Sequence, residues 1–190
     1  MTMASLPVLP VLPADAQMQR RAIVSYSLPA KVFHWLTVAL VMVLVSSAVI
    51  AKQLNDGDWS DRLFMLHKTT GVIALGVVLM RLCYRLVQSR AGRQQQQPAR
   101  ASRTALHWLL YAIIILVPLA GWAGISDFGA REIFPGFTLP EIWPEHAGYA
   151  DALFTFHAYL AFGLLALVAL HIGVATQDYM MRADDPTPRS

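Results

Sequence analysis

The chain has 190 residues, of which 56% are hydrophobic and 14% charged. A soluble domain carries about 25% charged residues, so this composition, with a mean hydropathy of +0.46, excludes an ordinary soluble domain and points to a membrane protein. The net charge of +3 comes with no soluble basic domain, which argues against nucleic-acid binding. The single cysteine, Cys83, excludes an intrachain disulfide or thiolate metal site.

The first segment, 1–25, is Pro-rich ("MTMASLPVLPVLPADAQMQRR") and reads as a disordered N-terminal stretch. Four apolar runs follow. The first, "VFHWLTVALVMVLVSSAVIA", is uncharged between Lys31 and Lys52 and too long for a signal-peptide core. The second, "LFMLHKTTGVIALGVVLMRLCYRLV", is interrupted by Lys68 and Arg81, which must snorkel or find partners. A polar linker, "RAGRQQQQPAR", leads to the third, "TALHWLLYAIIILVPLAGWAGIS", where Pro118 predicts a kink. The long connection "DFGAREIFPGFTLPEIWPEHAGYA" carries Phe134, Phe137 and Trp143 among prolines and reads as a structured interfacial loop. The fourth run is uncharged from Ala152 to Gln177.

A helix needs roughly 20 apolar residues to cross a hydrocarbon core of about 30 Å. The runs predict helices over about 31–54, 62–88, 103–126 and 151–178, within one domain, 26–182, followed by a tail, 183–190. The predicted fold is all-α, an antiparallel four-helix transmembrane bundle. The stretch "FHWLTVAL" that opens run one returns as "LHWLLYAI" at run three, a match too short to establish duplication.

Lys and Arg set the orientation. Arg81, Arg85, Arg90, Arg93, Arg100 and Arg103 lie in and before the linker between runs two and three, which has no acid. The connections after runs one and three are acidic, with Asp56, Asp58, Asp61, Asp127, Glu132, Glu141, Glu145 and Asp151. Both termini and the Arg-rich linker are therefore expected on the cytoplasmic side.

Of the six histidines, His34, His67, His107, His157 and His171 lie in or at the edge of the apolar runs, and His146 lies in the connecting loop. Ionisable residues inside membrane helices are rare and usually functional. Depth places His67 and His157 at the outer level and His34, His107 and His171 at the inner level. His157 and His171 are fourteen residues apart, which is some 40° short of four turns and about 21 Å of rise. They share one face and cannot serve one ion. A zinc site wants about four ligands, often Cys or carboxylate. A haem needs only axial ligands from the protein, and its plate fills a bundle core. At the outer level only His67 is available to His157. At the inner level His171 has two candidate partners, His34 and His107. Gly71, Gly76, Ala161 and Gly163 either make room for the plates or serve close helix packing.

Together "FHWL", "HKTTGV" with "LMRLCYRL", "LHWLLYAIIILVPLAGW", "GFTLP" and "FHAYLAFGLLALVALH" cover roughly residues 26 to 175. In order and spacing the chain resembles the bacterial di-haem cytochrome b561 family of inner-membrane proteins, related to the cytochrome subunits of nickel–iron hydrogenases. The resemblance implies two haem b groups. It implies His34 and His171 as ligands of the cytoplasmic-side iron and His67 and His157 as ligands of the periplasmic-side one. His107 is then a near-haem residue for a propionate or a quinone, and Arg81 and Arg85 would neutralise propionates. In one respect the chain departs from the family. Where relatives continue with a basic, His-containing stretch, it reads "IGVATQDYMMRADDPTPRS", with Gln177 and Asp178.

The implied activity is electron transfer between a periplasmic donor, superoxide or a redox protein, and ubiquinone. A superoxide:ubiquinone oxidoreductase is one version of it. Superoxide would need positive charge outside, where Lys52, Arg62, Lys68 and Arg131 are outnumbered by acids. The alternatives are a haem-bearing anchor subunit of a dehydrogenase or hydrogenase, with no catalysis of its own, and a haem-free bundle. A partner subunit or a homodimer fits either of the first two.

Overall fold

A computed structural model describes residues 28–54, 57–90 and 101–183. The Pro-rich N-terminal stretch, residues 91–100 of the linker and the tail beyond Ala183 lie outside these described residues. In chain order the elements are α1 (Leu28–Gln53), α2 (Asp58–Arg90), α3 (Ala101–Phe128), β1 (Glu132–Phe134), β2 (Phe137–Thr138) and α4 (Ala150–Ala183). All four helices are long and apolar enough to cross a membrane. The 26 residues of α1 span about 39 Å, enough for the hydrocarbon core and part of each interface.

The helices overrun the apolar runs because charged residues can occupy helix ends. Asp58 and Asp61 fill the first turn of α2, where acids complement the helix dipole. The end of α1 is tied to the start of α2: Ser60 Oγ donates to the Ala51 carbonyl at 3.2 Å, and Asp61 N–H donates to the Gly57 carbonyl at 3.1 Å. At Pro118 α3 continues without a break.

The C-terminus of α3 is closed by Gly129, in the left-handed region at φ 81°. Ala130 N–H returns to the Ile125 carbonyl at 3.0 Å and Gly129 N–H to Ser126 at 3.4 Å, the six-to-one closure that favours glycine. The loop then forms a small antiparallel hairpin pairing Glu132 with Thr138 and Phe134 with Phe137. Pro135 and Gly136 make its turn, with Gly136 at φ 83°, as a type II turn requires. The Phe134 and Phe137 rings stack at 5.1 Å on its exposed side.

Packing follows two pairs: α1 lies along α2 and α3 along α4, with a smaller contact between α2 and α3, and β1 resting on α2. Among the described residues the backbones of α1 and α4, and of α2 and α4, make no close approach. Two ends result. The hairpin end holds the α1–α2 turn and the 129–149 loop. The arginine end holds Arg81, Arg85 and Arg90 of α2 with the starts of α1 and α3 and the last turns of α4.

The loop is fixed over the hairpin end. Asp127, 2% exposed, accepts from Gly148 N–H at 3.3 Å and Tyr149 N–H at 3.0 Å, so its carboxylate caps α4 from another helix. Trp122 Nε1 donates to the Pro140 carbonyl at 2.9 Å. Arg131 donates to the Leu139 carbonyl at 3.2 Å and pairs with Glu145 at 3.1 Å. From α2, Lys68 Nζ donates to the Ala130 carbonyl at 3.0 Å and Thr69 Oγ1 to the Ile133 carbonyl. Lys68 thus finds the partner that its place in an apolar run required.

Candidate functional site

The five intramembrane histidines gather at two levels. At the hairpin end His67 of α2 faces His157 of α4, ring centres 6.1 Å apart. At the arginine end His34 of α1 faces His171 of α4 at 6.5 Å, and His107 of α3 stands 5.2 Å from the same ring. His157 and His171 therefore do share a face of α4. The His67–His157 and His34–His171 pairs each bridge two helices whose backbones stand apart. His107 and His171 instead belong to helices that pack together.

The hairpin-end rings are held from behind. His67 Nδ1 bonds the Leu44 carbonyl of α1 at 3.0 Å, and His157 Nδ1 bonds the Val117 carbonyl of α3 at 2.8 Å. A carbonyl only accepts, so Nδ1 carries the proton in each bond, and a neutral ring so held has its lone pair on Nε2. Each carbonyl fixes its ring's tautomer and orientation, which prepares a histidine to ligate a metal.

Glycines divide into two kinds. A Cβ on Gly76 or Gly163 would meet nothing within 4 Å, and one on Gly71 only Leu44 Cδ2 at 3.8 Å. Gly76 and Gly163 thus border open space, whereas Gly71 sits in ordinary contact with α1. Gly121 and Gly124 of α3 are the packed ones. A Cβ on Gly121 would stand 3.0 Å from His157 Nδ1, and one on Gly124 would stand 2.6 Å from the Phe154 ring. The sequence reading missed both. Their signal was "GWAG", small residues one turn apart on one helix.

At the arginine end Arg85 lies over Trp108 at 5.8 Å and Tyr111 at 5.4 Å, and Arg81 lies over Tyr111 at 5.8 Å. A cleft of about 350 Å³ opens beside the rings, lined by His34, His171, Ile172, Ala175, Thr176 and Tyr179. Tyr179 and Thr176 were not singled out from the sequence because they belong to the polar end of a long helix. His146 lies in the loop at φ 58°, exposed and 3.5 Å from Glu145, away from both ring pairs.

Residues 25–184 match the family described as prokaryotic cytochrome b561. The chain belongs to the prokaryotic cytochrome b561 family. Cytochrome b561 homolog 2 of Escherichia coli is 26% identical over 169 residues, covering 86% of this chain and 89% of the relative. The probable superoxide oxidase CybB of Yersinia pestis is 26% identical over 148 residues, covering 72% and 82%. Membership makes the protein a membrane electron-transfer cytochrome of a family that binds b-type haem.

The donor set fits that group. Two metal–nitrogen bonds of about 2 Å each, plus the radii of two imidazoles, put ring centres roughly 6 Å apart. The 6.1 Å and 6.5 Å pairs agree with this; the 5.2 Å pair is short for it.

Proposed function

We propose that the protein holds two haem b groups, one at each level, and carries electrons across the bacterial inner membrane between a donor at the hairpin face and a quinone at the arginine face. The observation that carries this reading is the pair of facing histidines at each level, both drawing one ring from α4 across a gap between backbones. His67 and His157 would hold one iron, and His34 and His171 the other. Held by two histidines, each haem iron would supply one-electron transfer and not oxygen chemistry.

The surrounding residues have separate tasks. The Leu44 and Val117 carbonyls orient the hairpin-end rings. Arg81, Arg85 and His107 stand at the level of His34 and His171, where they would neutralise propionates or bind a quinone carbonyl. The 350 Å³ cleft is large enough for a quinone head, and Thr176 and Tyr179 bring hydroxyls to it. The Lys and Arg distribution supports the arginine end and both termini on the cytoplasmic side.

Superoxide is the first donor to test, because one relative is named a probable superoxide oxidase. Each superoxide gives up one electron to become O2. Two electrons and two protons convert a quinone to its quinol. At the hairpin face Lys68 and Arg131 already serve loop carbonyls and Glu145, which leaves Lys52 and Arg62 as the cations for an arriving anion. The anchor-subunit reading draws on the exposed Phe134–Phe137 stack, a surface a partner would cover. A pyridine haemochrome assay should give two haems per chain. The purified chain should reduce a short-chain ubiquinone when supplied with superoxide. One haem per chain overturns the two-site reading. Two haems with no quinone reduction, and a second subunit co-purifying, establishes the anchor.

A further inference from the structure

The two halves of the chain match beyond their openings. On α1, "HWL" at 34–36 is followed by Leu44 ten residues after His34; on α3, "HWL" at 107–109 is followed by Val117 ten residues after His107. Those two carbonyls are the ones that accept from His67 and His157. On α2 "DRLFMLH" ends at His67, and on α4 "DALFTFH" ends at His157, identical at Asp, Leu, Phe and His. The helices also pack as two equivalent pairs, α1 on α2 and α3 on α4.

We infer that α1–α2 and α3–α4 are copies of one helical hairpin, and that Arg81 decides which histidine pair takes the haem at the arginine end. Fourteen residues beyond His157 stands His171; fourteen beyond His67 stands Arg81. The repeat thus places two pairs of equivalent positions at this end, one residue from each helix: His34 with His107, and Arg81 with His171. The structure brings them together. His171 is 6.5 Å from His34 and 5.2 Å from His107, and Arg81 of α2 reaches across to α3, over the Tyr111 ring one turn beyond His107.

Under the copy relation, the α1–α4 pair of His34 and His171 maps onto an α3–α2 pair of His107 and residue 81. A guanidinium stays protonated and has no lone pair for iron. Arg81 therefore closes the α2–α3 pair, with its charge packed over Tyr111, and the α1–α4 pair remains. The hairpin end keeps the symmetry of the repeat, and the arginine end has lost it at one residue.

This inference rests on the ligand assignment proposed above, and haem counting separates the two. His34→Ala should lower the count from two haems to one; a chain that keeps both refutes that assignment. Adding Arg81→His to the His34→Ala chain should restore the second haem. Adding His107→Ala as well should remove it again. The reduced α-band and low-spin electron paramagnetic signal of the hairpin-end site report that each variant is folded. A folded Arg81→His, His34→Ala chain that stays at one haem overturns the inference. The reciprocal exchange, Arg81→His with His171→Arg, should hold two haems that depend on His107 and not on His34; continued dependence on His34 also overturns it.

Discussion

Gly121 sets how close α3 comes to the His157 ring. A methyl group there would stand 3.0 Å from Nδ1, inside the space that the ring needs to reach the Val117 carbonyl. Gly121→Ala should therefore shift or broaden the spectrum of the hairpin-end haem and lower its occupancy, leaving the other haem unchanged. Redox titration followed at the two α-bands would resolve this; equal disturbance of both sites would argue for general misfolding instead. Gly124→Ala is a packing change one turn away. Its Cβ would meet the Phe154 ring at 2.6 Å, so it should cost about 1–3 kcal/mol by overpacking, read as a lower melting temperature in detergent. The five histidines were legible as a set because membrane helices seldom carry them, and depth alone paired His67 with His157. Neither glycine was legible in that way, because its importance lies in a ring contributed by another helix. The two orienting carbonyls left no trace either: Leu44 and Val117 look like any other apolar residues, and their backbone oxygens have no sequence signal.

At the scale of elements, the 129–149 loop behaves as part of the bundle and not as a tether. Asp127 joins the end of α3 to the start of α4 through Gly148 and Tyr149, and Lys68 and Thr69 join α2 to the same loop beside His67. Asp127→Ala leaves two N–H donors at a helix start unserved and should cost roughly 1–3 kcal/mol. Hydrogen exchange should accelerate over 139–153 while α1 is unaffected; an unchanged pattern would sink the capping role. Aromatic and proline content announced a structured loop, but the hairpin register and the Asp127 cap depend on contacts that no local pattern encodes. The helices extend past the apolar runs for a physical reason. Asp58 and Asp61 look like loop residues in a hydropathy profile, yet they sit where a helix dipole welcomes them.

At the scale of the whole molecule, four spans and their antiparallel order followed from apolar length alone, because lipid demands internally satisfied backbones. What length could not supply was the pairing of helices, α1 with α2 and α3 with α4, and hence the separation of α4 from α1 and α2. That separation lets rings from α4 meet rings from α1 and α2 across a gap. The proposed pairing predicts that His67→Ala and His157→Ala each remove one haem and the same one, with His34→Ala and His171→Ala removing the other. Visible spectra of the four single variants should fall into two classes of two; any other grouping overturns the pairing.

Both facing pairs borrow a ring from α4, which leaves the ribosome after α1, α2 and α3. Neither pair exists until that helix has entered the membrane and docked. Synthesis thus imposes an order on maturation: α1, α2 and α3 insert first, and cofactor capture waits for α4. A nascent chain halted before Ala150 should carry no bound haem, however much is supplied.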